Sequence, residues 1–370
     1  MSNKKRVLIL SDWYVPGFKA GGPITSVHRM VQQLNGSFEF SILTRNTDWH
    51  DPHPYDVPID VWVKADGALV KYLSHPSASR VWQEVEASEY DVLYLNGIYS
   101  PVFNAFPLLR CLLFKSRKQV IVAPRGMLNA NAIALKPLKK RTLLWLYRIL
   151  GIENKVIFHS TGEKESAAIR SVYSNARIEE AANLPPVPDA YPEQERNGML
   201  SVARISPVKN TLALLRALDG EAHIGLKLVG TADDSNYLEQ CIDIVDRNEG
   251  MEWLEGKGPG EIETLYRSAK FFISMTTGEN FGHAIIEALS NGCPVIISDQ
   301  TPWNDVLECG AGWVIPLVDE EAWKRVIAEA SSMENEAYLA MSRKAVDYVK
   351  RKFDVEQLRE QYTNLFGATY

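Results

Sequence analysis

The sequence predicts an α/β protein built as two Rossmann-like parallel-sheet domains. Three observations carry that expectation. A chain of 370 residues is longer than one hydrophobic core organises. Short apolar runs of strand length recur along it, separated by segments of loop or helix length. A proline-dense stretch, Ala181 to Asn197, with Pro185, Pro186, Pro188 and Pro192, interrupts that rhythm near the middle. Prolines at this density deny regular structure and stiffen a linker. The expected division is a first domain over 1–185, a hinge-like linker over 186–196 and a second domain over 197–351.

Composition narrows the function classes. Hydrophobic residues at 46% and charged residues at 23% suit a soluble globular protein. A net charge of −6 argues against a general nucleic-acid binder. No apolar run reaches the roughly 18 residues of a membrane-crossing helix. The basic start, Lys4-Lys5-Arg6, leads into only Val7-Leu8-Ile9-Leu10, too short for a signal peptide, so a cytoplasmic protein is expected. Cys111, Cys241, Cys293 and Cys309 are scattered without metal-ligand spacing and are expected as free thiols.

In the first half, Val7–Leu10 reads as a buried parallel strand. The loop Ser11 to Pro23 follows, then a helix through Val27, Met30, Val31 and Leu34. The loop holds Gly17 and the pair Gly21-Gly22; either backbone there approaches a phosphate or sugar, or the loop is simply flexible. Further strands are expected at Phe38–Leu43, Leu69–Leu73, Val92–Leu95, Val120–Ala123 and Val156–Phe158. Ligands in such sheets sit beyond the carboxyl ends of the strands. That singles out Asn96-Gly97-Ile98-Tyr99, Pro124-Arg125-Gly126 and Ser160-Thr161-Gly162-Glu163. Arg125 is the candidate functional side chain; the other reading is an arginine that ties down its own loop. From Arg110 to Lys155 the only acidic residue is Glu153, and Leu138 to Leu150 mixes basic residues with leucines, Trp145 and Tyr147. That is the composition of an interfacial helix on an anionic membrane surface, or of a solvated basic face on a core helix.

The second half begins with a strand at Met199–Val202. Arg204 and Lys209 follow, five residues apart across a turn and well placed to neutralise a diphosphate. Leu226–Gly230 and Met251–Gly256 are strands ending in glycine, and their loops line the same cleft. Phe271–Ile273 then feeds the stretch Gly278 to Ile297, which reads as loop, helix, turn and strand. A helix from about Gly282 to Leu289, ended by Asn291-Gly292, directs its first amides at the mouth of the loop and makes an anion site. Glu279 before it and Glu287 within it, eight residues apart, offer carboxylates to sugar hydroxyls. A last strand is expected at Gly312–Ile315, followed by helices to the C-terminus.

The string Glu279-Asn280-Phe281-Gly282, with Glu287-Ala288-Leu289-Ser290-Asn291-Gly292-Cys293-Pro294-Val295-Ile296, resembles the signature of the retaining GT-B glycosyltransferases of family 4. The resemblance spans nearly the whole chain and is strongest from Met199 to Ile315. It implies two Rossmann-like domains facing across a cleft, with a final helix, about 352–370, crossing back to the first. It implies that Glu279 lies against the donor sugar, that the backbone from Asn280 through Phe281, Gly282 and His283 holds the sugar or its phosphate, and that Glu287 takes the ribose hydroxyls. Arg204 and Lys209 match the family's phosphate clamp, although Ala203 replaces its usual preceding glycine. Gly21-Gly22 match a loop near the donor phosphates, and Trp253, Gly256 and Lys257 mark where the base would lie. Tyr94 and Asn96 stand where relatives often carry a His-x-His pair, and Arg125 where a histidine sometimes sits, a departure that weakens the case for a catalytic histidine.

No Asp-x-Asp pair occurs, so the positive charge is expected from Arg204, Lys209 and helix amides, without a metal or organic cofactor. The nucleotide-diphosphate sugar is a co-substrate, with UDP-sugar the commonest choice in the family and GDP-mannose next. Transfer with retention to a glycan or lipid-linked acceptor in envelope or exopolysaccharide assembly is the implied reaction. The alternatives are a GT-B epimerase and a non-catalytic membrane-surface scaffold; a phosphorylase would need a lysine-bound cofactor site of which there is no signature.

Overall fold

The computed structural model describes residues 4–114, 118–134, 137–188, 196–220, 224–232 and 234–367. Residues 189–195 of the expected linker, and Lys115, Arg117 and Lys136 of the basic stretch, lie outside the described residues. The chain divides into two compact units, Met1–Leu184 with Val355–Tyr370, and Pro185–Asp354.

The sheet of unit 1 comprises, among the described residues, β1 (Lys5–Leu10), β2 (Phe38–Arg45), β3 (Trp62–Ala65), β4 (Ala68–Leu73), β5 (Val92–Asn96), β6 (Gln119–Ala123), β7 (Ile157–Ser160) and β8 (Ile178–Glu180). Their order is β3-β4-β2-β1-β5-β6-β7-β8. Every pairing is parallel except β3 with β4. The apolar runs of β1, β5, β6 and β7 are buried, as a sheet covered on both faces requires. Leu8, Leu95, Val122 and Phe158 meet Leu108, Tyr147 and Ile169 from helices in one core. The C-terminal helix Val355–Gly367 also packs on this unit: the Phe366 ring lies 5.0 Å from that of Phe38 and 6.0 Å from that of Tyr94, and Gln119 Nε2 donates to Leu365 O at 2.9 Å.

β3 and β8 were not anticipated. β3 is an antiparallel edge strand reached by a turn at Asp66-Gly67, both with positive φ. An Asp-Gly pair between short β-rich runs is a hairpin signal that periodicity alone overlooks. β8 is only three residues long and half exposed.

Unit 2 contains β9 (Asn197–Val202), β10 (Leu226–Val229), β11 (Met251–Leu254), β12 (Ala269–Ser274), β13 (Val295–Ser298) and β14 (Gly312–Ile315), in the order β11-β10-β9-β12-β13-β14, all parallel. Leu226, Leu228, Phe271, Ile273 and Ile296 form its core with Trp323 and Tyr338 from the helices. The helix after β12 runs His283–Ser290, opened by Gly282 in the left-handed region and buried through Ile285, Ile286, Ala288 and Leu289.

Both sheets reverse direction beside their first strand. β1 lies between β2 and β5, and β9 lies between β10 and β12. At such reversals the loops leaving adjacent strands part to opposite faces and open a crevice. Among the described residues no helix is long and apolar enough to cross a membrane. Cys111, Cys241 and Cys293 are buried free thiols, and Cys309 is half-buried.

One glycine fixes the spacing of the unit 2 rim. A Cβ on Gly230 would stand 1.8 Å from Ala203 O, so the ends of β9 and β10 approach as they do only because this position has no side chain. Gly230→Ala is expected to destabilise unit 2 by about 2 kcal/mol or more in denaturant unfolding. A loss below about 0.5 kcal/mol would show that the close approach does not matter.

Candidate functional site

The loops leaving β9 and β12 meet at the reversal of the second sheet. After β9 the chain passes exposed Arg204, then makes a short 3₁₀ turn at Pro207–Lys209, capped by Ser206 Oγ, which accepts from Lys209 N at 3.4 Å. Asn210, with φ 54, redirects it into the helix Thr211–Ala217. After β12, Thr276 and Thr277 reach across to that turn. Val208 O accepts from Thr277 N at 2.9 Å, Thr277 Oγ1 at 2.9 Å and Thr276 Oγ1 at 3.3 Å. The two loops are thus knitted at one carbonyl. The knitting brings Lys209 Nζ to 2.5 Å from Glu279 Oε1, with side-chain exposures of 22% and 16%.

Glu279 leads to the helix His283–Ser290. No side chain caps that helix, and its N-cap Gly282 has φ 77. A Cβ on Gly282 would lie 3.1 Å from Ile285 Cδ1 and 3.3 Å from Trp303 Nε1, so both the conformation and the space call for glycine. Trp303 Nε1 donates to Phe281 O at 2.5 Å, and the Phe281 ring packs edge-on to Trp303 and beside His283, with centroids 5.2 Å and 4.7 Å away. Asn280 is exposed in the same loop. Glu287, one turn into the helix, accepts from the Tyr266 hydroxyl at 3.0 Å. Tyr266 is 1% exposed, so this bond fixes which way the carboxylate turns.

The remaining expected positions of unit 2 lie on the same carboxyl rim. Gly230 follows β10, and its carbonyl accepts from Trp253 Nε1 at 3.0 Å, which pins the indole across two strands. Gly256 and Lys257 follow β11; Lys257 Nζ lies 3.4 Å from Glu261 Oε1 in the next helix. Tyr266 and Trp303 escaped the sequence reading. The only trace of either was a lone aromatic, in a helix for one and in the loop Thr301-Pro302-Trp303 for the other.

In unit 1, Gly21 is the N-cap of the helix Gly22–Leu34, with φ 71, and Gly22 is its first residue. A Cβ on Gly21 would meet nothing within 4 Å, so the conformation alone demands glycine and the space above it is open. Arg125 also has positive φ, 54. Its Nε donates to Asn96 Oδ1 at 2.9 Å, Nη1 to Asn183 Oδ1 at 3.0 Å and Nη2 to the Tyr94 hydroxyl at 2.8 Å. Asn96 in turn donates to Ser11 Oγ at 3.1 Å. Of the two readings left open for Arg125, this geometry favours the anchor: one guanidinium ties the ends of β5 and β6 to the segment after β8. Beneath it, Tyr94 donates to His159 Nδ1 at 2.6 Å and His159 Nε2 donates to Ala181 O at 2.8 Å. Burial, with the Arg125 charge adding to it, pushes the His159 ring down to about 3. Buried Glu165 accepts from Gly126 N, Thr161 N and Thr161 Oγ1 and fixes the loop from the other side.

Residues 189–348 match the family model described as glycosyl transferases group 1. The chain is 25% identical over 174 residues to an O-antigen chain mannosyltransferase of Salmonella typhimurium, covering 46% of this chain and 47% of that one. It is 21% identical over 312 residues to a phosphatidyl-myo-inositol mannosyltransferase of Mycobacterium leprae, covering 81% and 80%. The chain therefore spans about half the length of the first of these curated relatives. Among solved structures it resembles an Anabaena protein crystallised with UDP-glucose, with a TM-score of 0.70 at 16% identity, covering 99% of this chain and 100% of that one.

The buried histidine makes a prediction about pH. An unfolded histidine titrates near 6.5, and this one is held near 3 when folded, so between those values the unfolded chain binds more protons. Stability is expected to fall as pH drops from about 6.5 toward 3, by up to about 1.4 kcal/mol per pH unit. His159→Gln, which does not titrate in that range, is expected to flatten the slope in denaturant unfolding. Equal slopes for the two proteins would show that this ring does not set the acid limit.

Proposed function

We propose, for a chain that belongs to the glycosyl transferases group 1 family and carries the GT-B fold, that it transfers a sugar from a nucleotide-diphosphate sugar to a glycan or lipid-linked acceptor in polysaccharide or glycolipid assembly. The single observation that carries this reading is the pairing of Lys209 with Glu279 at the reversal of the second sheet. A diphosphate needs a cation, and a sugar needs a hydroxyl acceptor; here the two are held 2.5 Å apart. Lysine has three N–H donors, so contact with Glu279 leaves capacity for phosphate oxygens.

In the proposed reaction Arg204, Lys209 and the first amides of the helix His283–Ser290 stabilise the diphosphate as the bond from its oxygen to the anomeric carbon breaks. Glu279 orients the sugar through its hydroxyls and is not assigned as a nucleophile. Glu287, aimed by Tyr266, accepts from the ribose hydroxyls, and the base lies by Trp253, Gly256 and Lys257. The acceptor hydroxyl attacks on the face from which the diphosphate leaves, and its proton passes to the departing phosphate oxygen. That gives retention, with no metal called upon. A UDP-sugar is the proposed donor, a choice supported by the UDP-glucose bound to the Anabaena protein. The family match favours this reading over an epimerase or a scaffold.

The acceptor reading extends to a peripheral membrane seat on anionic lipid. On the helix Pro137–Ile149, Leu144 and Tyr147 face the core. On the opposite side Leu138, Trp145 and Ile149 are 82%, 63% and 59% exposed, and their spacing sets them on one stripe. Exposed Lys139 and Arg141 flank that stripe. An apolar line bordered by cations matches the boundary between acyl chains and anionic headgroups.

A nucleoside diphosphate is expected to raise the melting temperature of the protein, and a screen of nucleotide-sugars for slow hydrolysis should identify the donor. Lys209→Ala is expected to lower turnover on the order of a hundredfold with little change in melting temperature. Near-normal transfer would remove the lysine from the mechanism. In co-sedimentation, vesicles rich in phosphatidylglycerol should bind the protein and phosphatidylcholine vesicles should not. Replacing both Trp145 and Ile149 by Ala should weaken that binding roughly tenfold; an unchanged variant would dismiss the stripe as the contact.

A further inference from the structure

The loop after β13 holds the loop after β12 at three successive points. Ser298 Oγ donates to Thr276 O at 2.6 Å, Gln300 O accepts from Glu279 N at 3.3 Å, and Trp303 Nε1 donates to Phe281 O at 2.5 Å. The partners advance along both segments in step, 276 with 298, 279 with 300 and 281 with 303. These rungs carry the parallel association of β12 and β13 past the point where the strands stop. The last rung falls on the residue before Gly282, where the chain turns into the helix His283–Ser290.

The indole at that rung is braced from behind. Trp303 is 6% exposed. Its ring lies 5.7 Å from that of Phe353, which lies 6.4 Å from Phe281, so the three rings close a triangle. Phe353 is the C-cap of the helix Asn335–Lys352. Asp305, just past the indole, accepts from the Tyr348 hydroxyl at 2.7 Å and lies 2.6 Å from Lys352 Nζ, both on that helix. Asn304 Nδ2 donates to Asp299 O at 3.0 Å and closes the loop on itself. Packing on one side and these anchors on the other give the indole N–H a single direction.

A trans peptide unit is planar, and its carbonyl and N–H point opposite ways. Phe281 O and Gly282 N belong to one such unit, so holding the carbonyl on Trp303 holds the Gly282 N–H away from the indole. Glycine does not fix its own backbone, and φ 77 is one of many conformations open to it. A side chain from elsewhere has to select it. We propose that Trp303 is a positioning residue for the leaving diphosphate: through Phe281 O it sets where the Gly282 N–H and the first amides of the following helix point. The inference rests on the transferase reading, because that reaction is what gives those amides a diphosphate to meet. No side chain caps the helix and competes for them. Donors held in place beforehand stabilise developing charge without reorganising, which is why the brace matters.

The test measures how much the diphosphate adds to binding. UDP, GDP, uridine and guanosine are titrated against the whole protein by calorimetry, and the affinity of the diphosphate that binds is divided by that of its nucleoside. Trp303→Phe keeps a ring against Phe281 and Phe353 and removes the N–H. It is expected to lower the ratio about tenfold, with the nucleoside staying within about twofold of wild type. Phe353→Leu leaves the indole in place and removes the ring behind it; it should lower the ratio about threefold and serves if the first variant does not fold. A merely structural role would weaken diphosphate and nucleoside alike, so an unchanged ratio in the folded variants would overturn the proposal. A wild-type protein that binds neither diphosphate would count against the donor reading and take this role with it, an outcome distinct from variants that bind with the wild-type ratio.

Discussion

The ion pair between Lys209 and Glu279 is the contact on which the proposed chemistry of the second unit depends. It forms because β9 and β12 are neighbours in the sheet although seventy residues separate the two side chains. The strands alone would bring the loops close without fixing them. Val208 O does the fixing, through three donors from Thr276 and Thr277. A lysine that is only 22% exposed needs an acceptor, since a half-desolvated ammonium without one is unfavourable. Glu279 meets that need. On the proposed reaction an arriving diphosphate joins a lysine whose position is already set, and little ordering is left for the binding step.

Unit 1 solves the same problem with neutral partners. The Arg125 guanidinium faces two asparagine oxygens and a tyrosine hydroxyl, none of them charged. A positive charge retained among neutral groups depresses any neighbour that could also become positive, and His159 shows the effect on top of its burial. The chain from Arg125 through Tyr94 and His159 to Ala181 has one donor for each acceptor. Such a chain holds one arrangement, because reversing any member leaves a buried group unsatisfied. Left-handed φ at Arg125, unfavourable for a residue with a side chain, is tolerated because three hydrogen bonds over-determine its place.

Much of this was legible in the sequence, and what was not has a common cause. Strands such as Val7–Leu10 and Val120–Ala123 announced themselves because burial on both faces leaves no polar positions. Glu279, Gly282 and Glu287 were legible because one local segment carries a loop, a cap and a helix turn in order. Tyr266 was silent: its partner Glu287 is twenty-one residues away, and nothing local marks a helix tyrosine as the orienting group of a carboxylate. Trp303 was silent for the same reason, since its contact with Phe281 O arises only once β13 lies beside β12. The two readings of Arg125 could not be separated without knowing that Asn183, fifty-eight residues on, returns to the same strand ends. Local pattern specifies elements; pairing of the strands specifies which side chains meet.

The two carboxyl rims differ in how their cations are held. Beyond the second sheet Lys209 keeps N–H donors besides the one that meets Glu279, and a helix start without a side-chain cap adds its dipole, which on the proposed reaction suits an anion. Beyond the first sheet Arg45 faces Asp12 and Lys19 faces Asp51. On the proposed reaction this division is the one the chemistry asks for. The departing group gathers negative charge as its bond breaks, so cations there act more strongly on the transition state than on the bound donor.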